Sequence, residues 1–396
     1  MTISFPHLGD YCVPIEAMLR MLFPRDNVLV PPPTSKRTIE AGAKYSPEFV
    51  CVPFKYNLGN MLEALEAGAD TIVVAGGGCR YGYYAELQEQ ILRDLGYDFI
   101  LVNIFGSGGF KVRESYEIVK KIGSKVSFVR FIYVLLLTVR TVTLMDKTDK
   151  YIRANIGFET ESGSFGRLKK EFHNELRRVR SFAALRKAAK KYKRALRQLP
   201  LVIPTPLLHI GIVGELYTVM DASANYFLER ELAKYNARVS RFTDATYLLF
   251  VPKKFKERKN LRDAGGCVKY YLGADGTHSA AKCRALANSD CDGVIHVKPF
   301  GCAPEINAIP ALMSISKTQK IPILFMSFDA QTSETGVRTR IEAFVDMVKM
   351  KKTNNSPLGR GGGKAEPTVR LADCKGEELL HRSPPKRRGA DGVVKK

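Results

Sequence analysis

The sequence has no CxxC pair, although it holds eight cysteines. That absence excludes a zinc ribbon, a thioredoxin-type dithiol and a ferredoxin-like cluster loop, each of which needs two thiols on one short turn. Any metal site must gather cysteines that lie far apart in the chain. No apolar run reaches the roughly 20 residues of a membrane-spanning helix. The longest, FIYVLLLTV at 131–139, is closed by Arg130 and Arg140 and is expected to be a buried strand or helix. The opening residues, MTISFPHLGDY, lack a basic segment followed by an apolar one, so no signal peptide is expected. A cytoplasmic protein without membrane association and without a disulfide framework is the expectation. Tryptophan is absent, which excludes nothing. No GxxxxGKS/T phosphate loop occurs. Neither does a helix-turn-helix, zinc-finger or RNP pattern.

What is present is a long, basic chain. Its 396 residues exceed one compact core and predict two domains plus extras. The net charge is +22, and most of it is local. Residues 147–200 carry 16 Lys/Arg against 5 Asp/Glu, and residues 351–396 carry 12 against 5. The basic character therefore belongs to an insert and a tail. The bland reading of that insert is a solvated helical face. The functional one is a docking surface for an anionic ligand or acidic partner.

Residues 1–146 alternate strand-like and helix-like stretches. VLVPP (28–32), FVCVPF (49–54), TIVVAGGG (71–78) and DFILVNIF (98–105) read as strands. Residues 57–67 and 83–95 read as helices on their apolar spacing. Residues 147–204 read as a basic helical insert. One helical stripe holds Leu168, Phe172, Leu176 and Val179, and a second holds Phe182, Leu185, Ala188 and Tyr192. Residues 205–352 return to the alternating order. LLHIGIVG (207–214), TYLLFV (246–251), DGVIHVKPF (292–300) and PILFMSF (322–328) read as strands. Residues 224–232, 306–315 and 337–350 read as helices. Residues 353–396 cannot bury enough apolar surface to order themselves. The expected fold is α/β: two Rossmann-like or flavodoxin-like parallel-sheet domains, the insert and a disordered tail.

Ligands of such folds gather at the carboxyl ends of strands. Cys51, Cys79 and Cys302 stand in such places, the latter two before helices. A helix N-terminus favours a thiolate, and thiolates bind iron or zinc. Gly76, Gly77 and Gly78 before Cys79, and Gly301 before Cys302, remove side chains where a bulky group would approach. Pro53 and Pro304 stiffen their turns. Read singly, each cysteine is equally a buried core residue. Three in equivalent places point to a metal site, with iron and zinc both open.

Several stretches carry a family likeness. They are VPPPTSKRTIEAG (30–42), CVPFKYNLGN (51–60), EALEAGADTIVVAGGGCRYGYYAELQ (63–88), GIVGELY (211–217), CDGVIHVKPFGCAPEI (291–306) and DAQTSETGVRTRIEAF (329–344). The chain resembles the D-component family of 2-hydroxyglutaryl-CoA dehydratase and the related benzoyl-CoA reductases. Within that family it is closer to the activase-related branch, the CoA protein activases. The resemblance implies two Rossmann-like or flavodoxin-like domains with a [4Fe–4S] cluster, or a double-cubane variant, at their interface. Its ligands would be Cys51, Cys79 and Cys302, leaving one iron open. Gly77, Gly78, Gly301, Lys55, Asn57 and Glu305 would line the group. Arg80, Tyr81, Tyr83, Glu215 and Tyr217 are further carried-over positions. Partners implied are an ATP-dependent activator in trans, a second copy or related subunit, and acyl-CoA. The chain itself lacks the paired Asp–Gly phosphate loops of the larger activase-related proteins, and neither 106–150 nor the tail matches the family.

Three functions compete. The first is a 2-hydroxyacyl-CoA dehydratase or reductase component that takes an electron from the activator and passes it to a bound thioester, forming a ketyl radical anion. The second is a non-catalytic iron–sulfur protein that carries electrons or assists an activase. The third is a basic nucleic-acid-binding protein, for which charge alone supplies non-specific affinity.

Overall fold

The computed structural model describes residues 1–75, 83–104, 111–250 and 253–354. In its first half, β1 (Thr2–Ser4), α1 (Cys12–Leu22), β2 (Asn27–Val28), α2 (Lys36–Tyr45), α3 (Val52–Glu66), β3 (Thr71–Val74), α4 (Tyr84–Asp94), β4 (Ile100–Asn103) and α5 (Val112–Lys121) follow one another. A long helix, α6 (Phe128–Asn155), and the basic pair α7 (Ser164–Leu176) and α8 (Phe182–Gln198) come next. The second half holds β5 (Leu208–Gly214), α9 (Leu216–Met220), α10 (Leu228–Ala233), β6 (Ala237–Arg241), α11 (Ala245–Phe250), α12 (Lys253–Asp263), α13 (Gly276–Ala287), β7 (Gly293–Pro299), α14 (Ala303–Gln319), β8 (Ile323–Phe328) and α15 (Glu334–Asn354).

Each half builds one four-stranded sheet, in the orders β2-β1-β3-β4 and β6-β5-β7-β8, and every pairing is parallel. The expected α/β class with two parallel sheets is therefore observed. A parallel sheet covered by helices on both faces needs apolar residues throughout its central strands. Accordingly every residue of β3 and β7 is buried. The strand order reverses between β1 and β3 and again between β5 and β7. Those two crevices are where doubly wound folds bind ligands.

Several local expectations differ. FVCVPF is not a strand: Cys51 caps α3, and Pro53 lies in the first helical turn. Proline suits that position, because its missing N–H would have no intrahelical partner there. TYLLFV is not a strand either, but forms most of α11. Only the first residue of VLVPP, Val28, is paired in β2. The strands β1 and β6 carried no separate signal. FIYVLLLTV belongs to α6, which by length and composition alone is long and apolar enough to cross a membrane. Here α6 packs against α1, α8, β6 and α11, and Phe131, Val134, Leu137, Val142 and Met145 are buried. The helix runs unbroken through residues 146 and 147. The expected disordered tail, from residue 355 on, lies outside the described residues.

The two halves share an apolar core. Ile39, Val52 and Tyr56 from α2 and α3 join the cluster formed by Ile210, Ile295, Val297 and Tyr217 of the second half. Tyr56 and Tyr217 stack with ring centroids 6.0 Å apart. The Gly9 amide donates to Asp221 Oδ2 at 3.0 Å, and His7 lies 3.9 Å from the same oxygen.

Candidate functional site

Cys51 is placed by a close crossing of α2 and α3. Ser35 opens α2 with a reciprocal capping box on Thr38. A Cβ on Gly42 would stand 1.7 Å from the Lys55 carbonyl oxygen, and one on Gly59 would stand 2.0 Å from that of Thr38. The two backbones thus touch directly, which only glycine permits. The crossing fixes the axis of α3 and so its N-terminus, where Cys51 sits half-buried. Cys51 Sγ and Tyr84 Oη are hydrogen-bonded at 2.6 Å.

Cys302 caps α14 in the same way, with Pro304 in the first turn and extended backbone at the cap. Gly301 before it adopts φ +75°, the left-handed region that favours glycine, with nothing within 4 Å of where a Cβ would lie. Cys302 follows β7, and Glu215 follows its neighbour β5, so they flank the crevice of the second sheet. Glu215 accepts hydrogen bonds from the amides of Tyr217 and Thr218, each at 2.9 Å, and from the Thr218 hydroxyl.

Below Cys302 lies a buried polar group. Glu305 is fully buried. It accepts from Ser279 Oγ at 3.1 Å and pairs with His296 Nε2 at 2.7 Å. His296 is equally buried, and its Nδ1 has no hydrogen-bond partner. Asp275 receives the Leu216 amide at 3.1 Å.

The electrostatics follow from this burial. Burial pushes the Cys302 thiol well above its ordinary value, and the charges of Glu215, Glu305 and Cys51 add to the rise. The helix N-terminus, expected to lower that thiol, is outweighed while no metal is bound, because transfer from water disfavours the charged form. Burial also raises Glu215. Burial and the neighbouring Glu215 and Glu305 push Asp275 up to about 7. Burial lowers Lys298 despite the opposing pull of Cys302 and Glu305. Asp275 is thereby brought into the range where acid–base work near neutral pH is done.

Cys51 and Cys302 come from opposite halves, and the charge of Cys51 contributes to the rise of Cys302. Cys79, Gly77 and Gly78, with Arg80 and Tyr81, lie outside the described residues. Among the described residues no three His, Cys, Asp or Glu side chains form a metal-binding group. Lys55 reaches back to the Glu48 carbonyl at 3.4 Å, and Asn57 is half-buried on α3. Glu305 points into the buried polar group, while Tyr83 is 76% exposed. The sequence reasoning missed Asp275, His296, Lys298 and Tyr84. Asp275 before Gly276-Thr277 carries a helix-start signal. His296 and Lys298 stand out as polar residues inside an apolar strand. Tyr84 has no local signal, since its role depends on a cysteine 33 residues away.

A family model for 2-hydroxyglutaryl-CoA dehydratase, D-component, matches residues 278–348. The matched segment covers most of α13, β7, α14, β8 and much of α15. It contains His296, Lys298, Cys302 and Glu305, but not Cys51 or Cys79. No curated protein matches the chain.

Proposed function

We propose that this chain is a component of a 2-hydroxyacyl-CoA dehydratase or reductase system and holds an iron–sulfur cluster on Cys51, Cys79 and Cys302. The observation that carries this reading is the pairing of Cys51 and Cys302. They lie about 250 residues apart, yet both cap helices with proline in the first turn, and Cys302 belongs to the segment resembling the D-component.

The residues present fit such a group. Two soft sulfur donors stand at helix N-termini from different halves. Open space adjoins Gly301. When bound, a [4Fe–4S] cluster or its double-cubane variant supplies one-electron chemistry and an iron that three protein ligands leave open. The chain's own residues hold and shield. Cys302 surrenders a firmly held proton on loading, so metal uptake falls as pH falls. Asp275 titrates near neutral pH beside the crevice, and burial raises Glu215 next to it. Removing the non-acidic β-proton of an acyl-CoA thioester needs a base, a role open to Asp275 in its ionised form.

In this reading an ATP-dependent activator delivers the electron, as for components of the family that the matched segment resembles. The closer kinship to the activase-related branch, a cytoplasmic location, and pairing with a second copy or a related subunit belong to the same proposal. The test is iron and acid-labile sulfide content after anaerobic purification, with Cys302→Ala alongside. About four irons per chain, falling sharply in the variant, are expected for one cubane. No iron in either protein after reconstitution would overturn the reading.

A further inference from the structure

Tyr84 is held more firmly than its position at the start of α4 requires. Its ring meets Phe54 edge-to-face, with centroids 5.0 Å apart and planes at 88°. Phe54 lies in the first turn of α3, three residues after Cys51, and is fully buried. One turn along α4, buried Gln88 donates from Nε2 to the Phe54 carbonyl at 3.1 Å. The first turns of α3 and α4 are thereby clamped to each other. The clamp aims the Tyr84 hydroxyl at Cys51 Sγ, 2.6 Å away. Packing alone does not need that hydroxyl, since phenylalanine would make the same ring contact.

Either atom can donate while Cys51 is a thiol. A metal-bound thiolate has no proton to give, so the phenol must then be the donor. A donor draws negative charge from the sulfur and favours the reduced state of the group behind it. We propose that Tyr84 is a positioning residue for the metal ligand Cys51: its hydroxyl donates to the thiolate, fixes the sulfur's direction and raises the reduction potential of the bound group. This rests on the reading of Cys51 as a metal ligand and deepens it.

The test is Tyr84→Phe in the full-length chain, reconstituted anaerobically with iron and sulfide beside the wild type. The expected result is unchanged iron and sulfide content and a reduced form disfavoured by about tenfold, a fall of 59 mV for one electron. A second readout uses the metal-free protein titrated with cobalt(II). The sulfur-to-cobalt charge-transfer band should move to lower energy in the variant, because an unrelieved thiolate is the better electron donor. Should Tyr84→Phe fold poorly, Phe54→Leu keeps the hydroxyl but loosens its support. It should then give a smaller shift in the same direction. A variant with normal iron content, an unchanged potential and an unmoved cobalt band overturns the proposal. A cobalt band that is lost in Cys51→Ser, in a wild type that takes up no iron and sulfide, would sink the cluster reading alone. The band shift would then still decide on Tyr84. A wild type that binds neither metal overturns both.

Discussion

Replacing Gly42 by alanine tests how the site is positioned, with two terms of opposite sign. Gly42 lies inside α2, where alanine is favoured over glycine by about 0.8–1.0 kcal/mol. Against that, the new Cβ would stand 1.7 Å from the Lys55 carbonyl oxygen and 3.0 Å from the Gly59 amide. Both obstacles are backbone, so neither can swing aside. Normal contact lies at about 3.5 Å, so α2 and α3 must part by roughly 1.8 Å, a gap that forfeits much of their dispersion contact. Overpacking of this kind costs about 3 kcal/mol or somewhat more. The net expectation is a loss of about 2–3 kcal/mol. Urea unfolding reads it as a lower midpoint at unchanged slope. Gly166→Ala is the control, because Gly166 lies inside α7 with nothing within 4 Å of its Cβ direction. It should gain up to about 1 kcal/mol from helix propensity alone. If Gly42→Ala is as stable as the wild type, or gains as Gly166→Ala does, the direct crossing of α2 and α3 is wrong. So then is the account of how Cys51 is held.

Two further predictions concern the contacts between elements. Burial depresses His7, but the nearby Asp221 carboxylate and Cys12 thiol outweigh this and raise it to about 9. A raised histidine stabilises fully below its unfolded value near 6.5, and the contribution is lost as pH rises through about 9. Unfolding free energy should therefore fall by up to roughly 3 kcal/mol between pH 6.5 and 9, and His7→Gln should flatten that slope. Buried Asp146 accepts from the Tyr11 hydroxyl at 2.5 Å, from the Thr246 amide at 2.8 Å and from the Thr246 hydroxyl. Asp146→Ala strands these donors and should cost about 3 kcal/mol in urea unfolding. Burial first, and the charge of Asp146 second, hold Tyr11 well above its ordinary value. An ultraviolet titration of the variant should show one tyrosine ionising earlier.

The sequence by itself determined the repeated β-α order and its parallel consequence. TIVV and GVIHVKP are mostly apolar runs between turn signals, and such runs must be covered on both faces. It also determined the two helices of the basic insert, where apolar residues recur at helical spacing over more than three turns. Cys302 before Pro304 was legible as a helix start, because proline and a preceding cap leave a local signature. Short apolar runs were not legible. FVCVPF and TYLLFV fit a strand and a buried helical turn equally, and only their partners choose. A strand as brief as β1 exists because β3 offers it an edge, and β2 because β1 does, and propensity cannot announce them.

The site was decided by tertiary structure. Cysteine type and a nearby turn marked Cys51 as a candidate. How it is held depends on Gly42 and Gly59 letting two helices touch, and on Tyr56 stacking against Tyr217 across the halves. The proton affinities of Cys302, Glu215 and Asp275 follow from burial and from one another's charge. Neither burial nor mutual distance is a property of any local stretch of chain, so the chemistry of the crevice emerges only when the chain has closed around it.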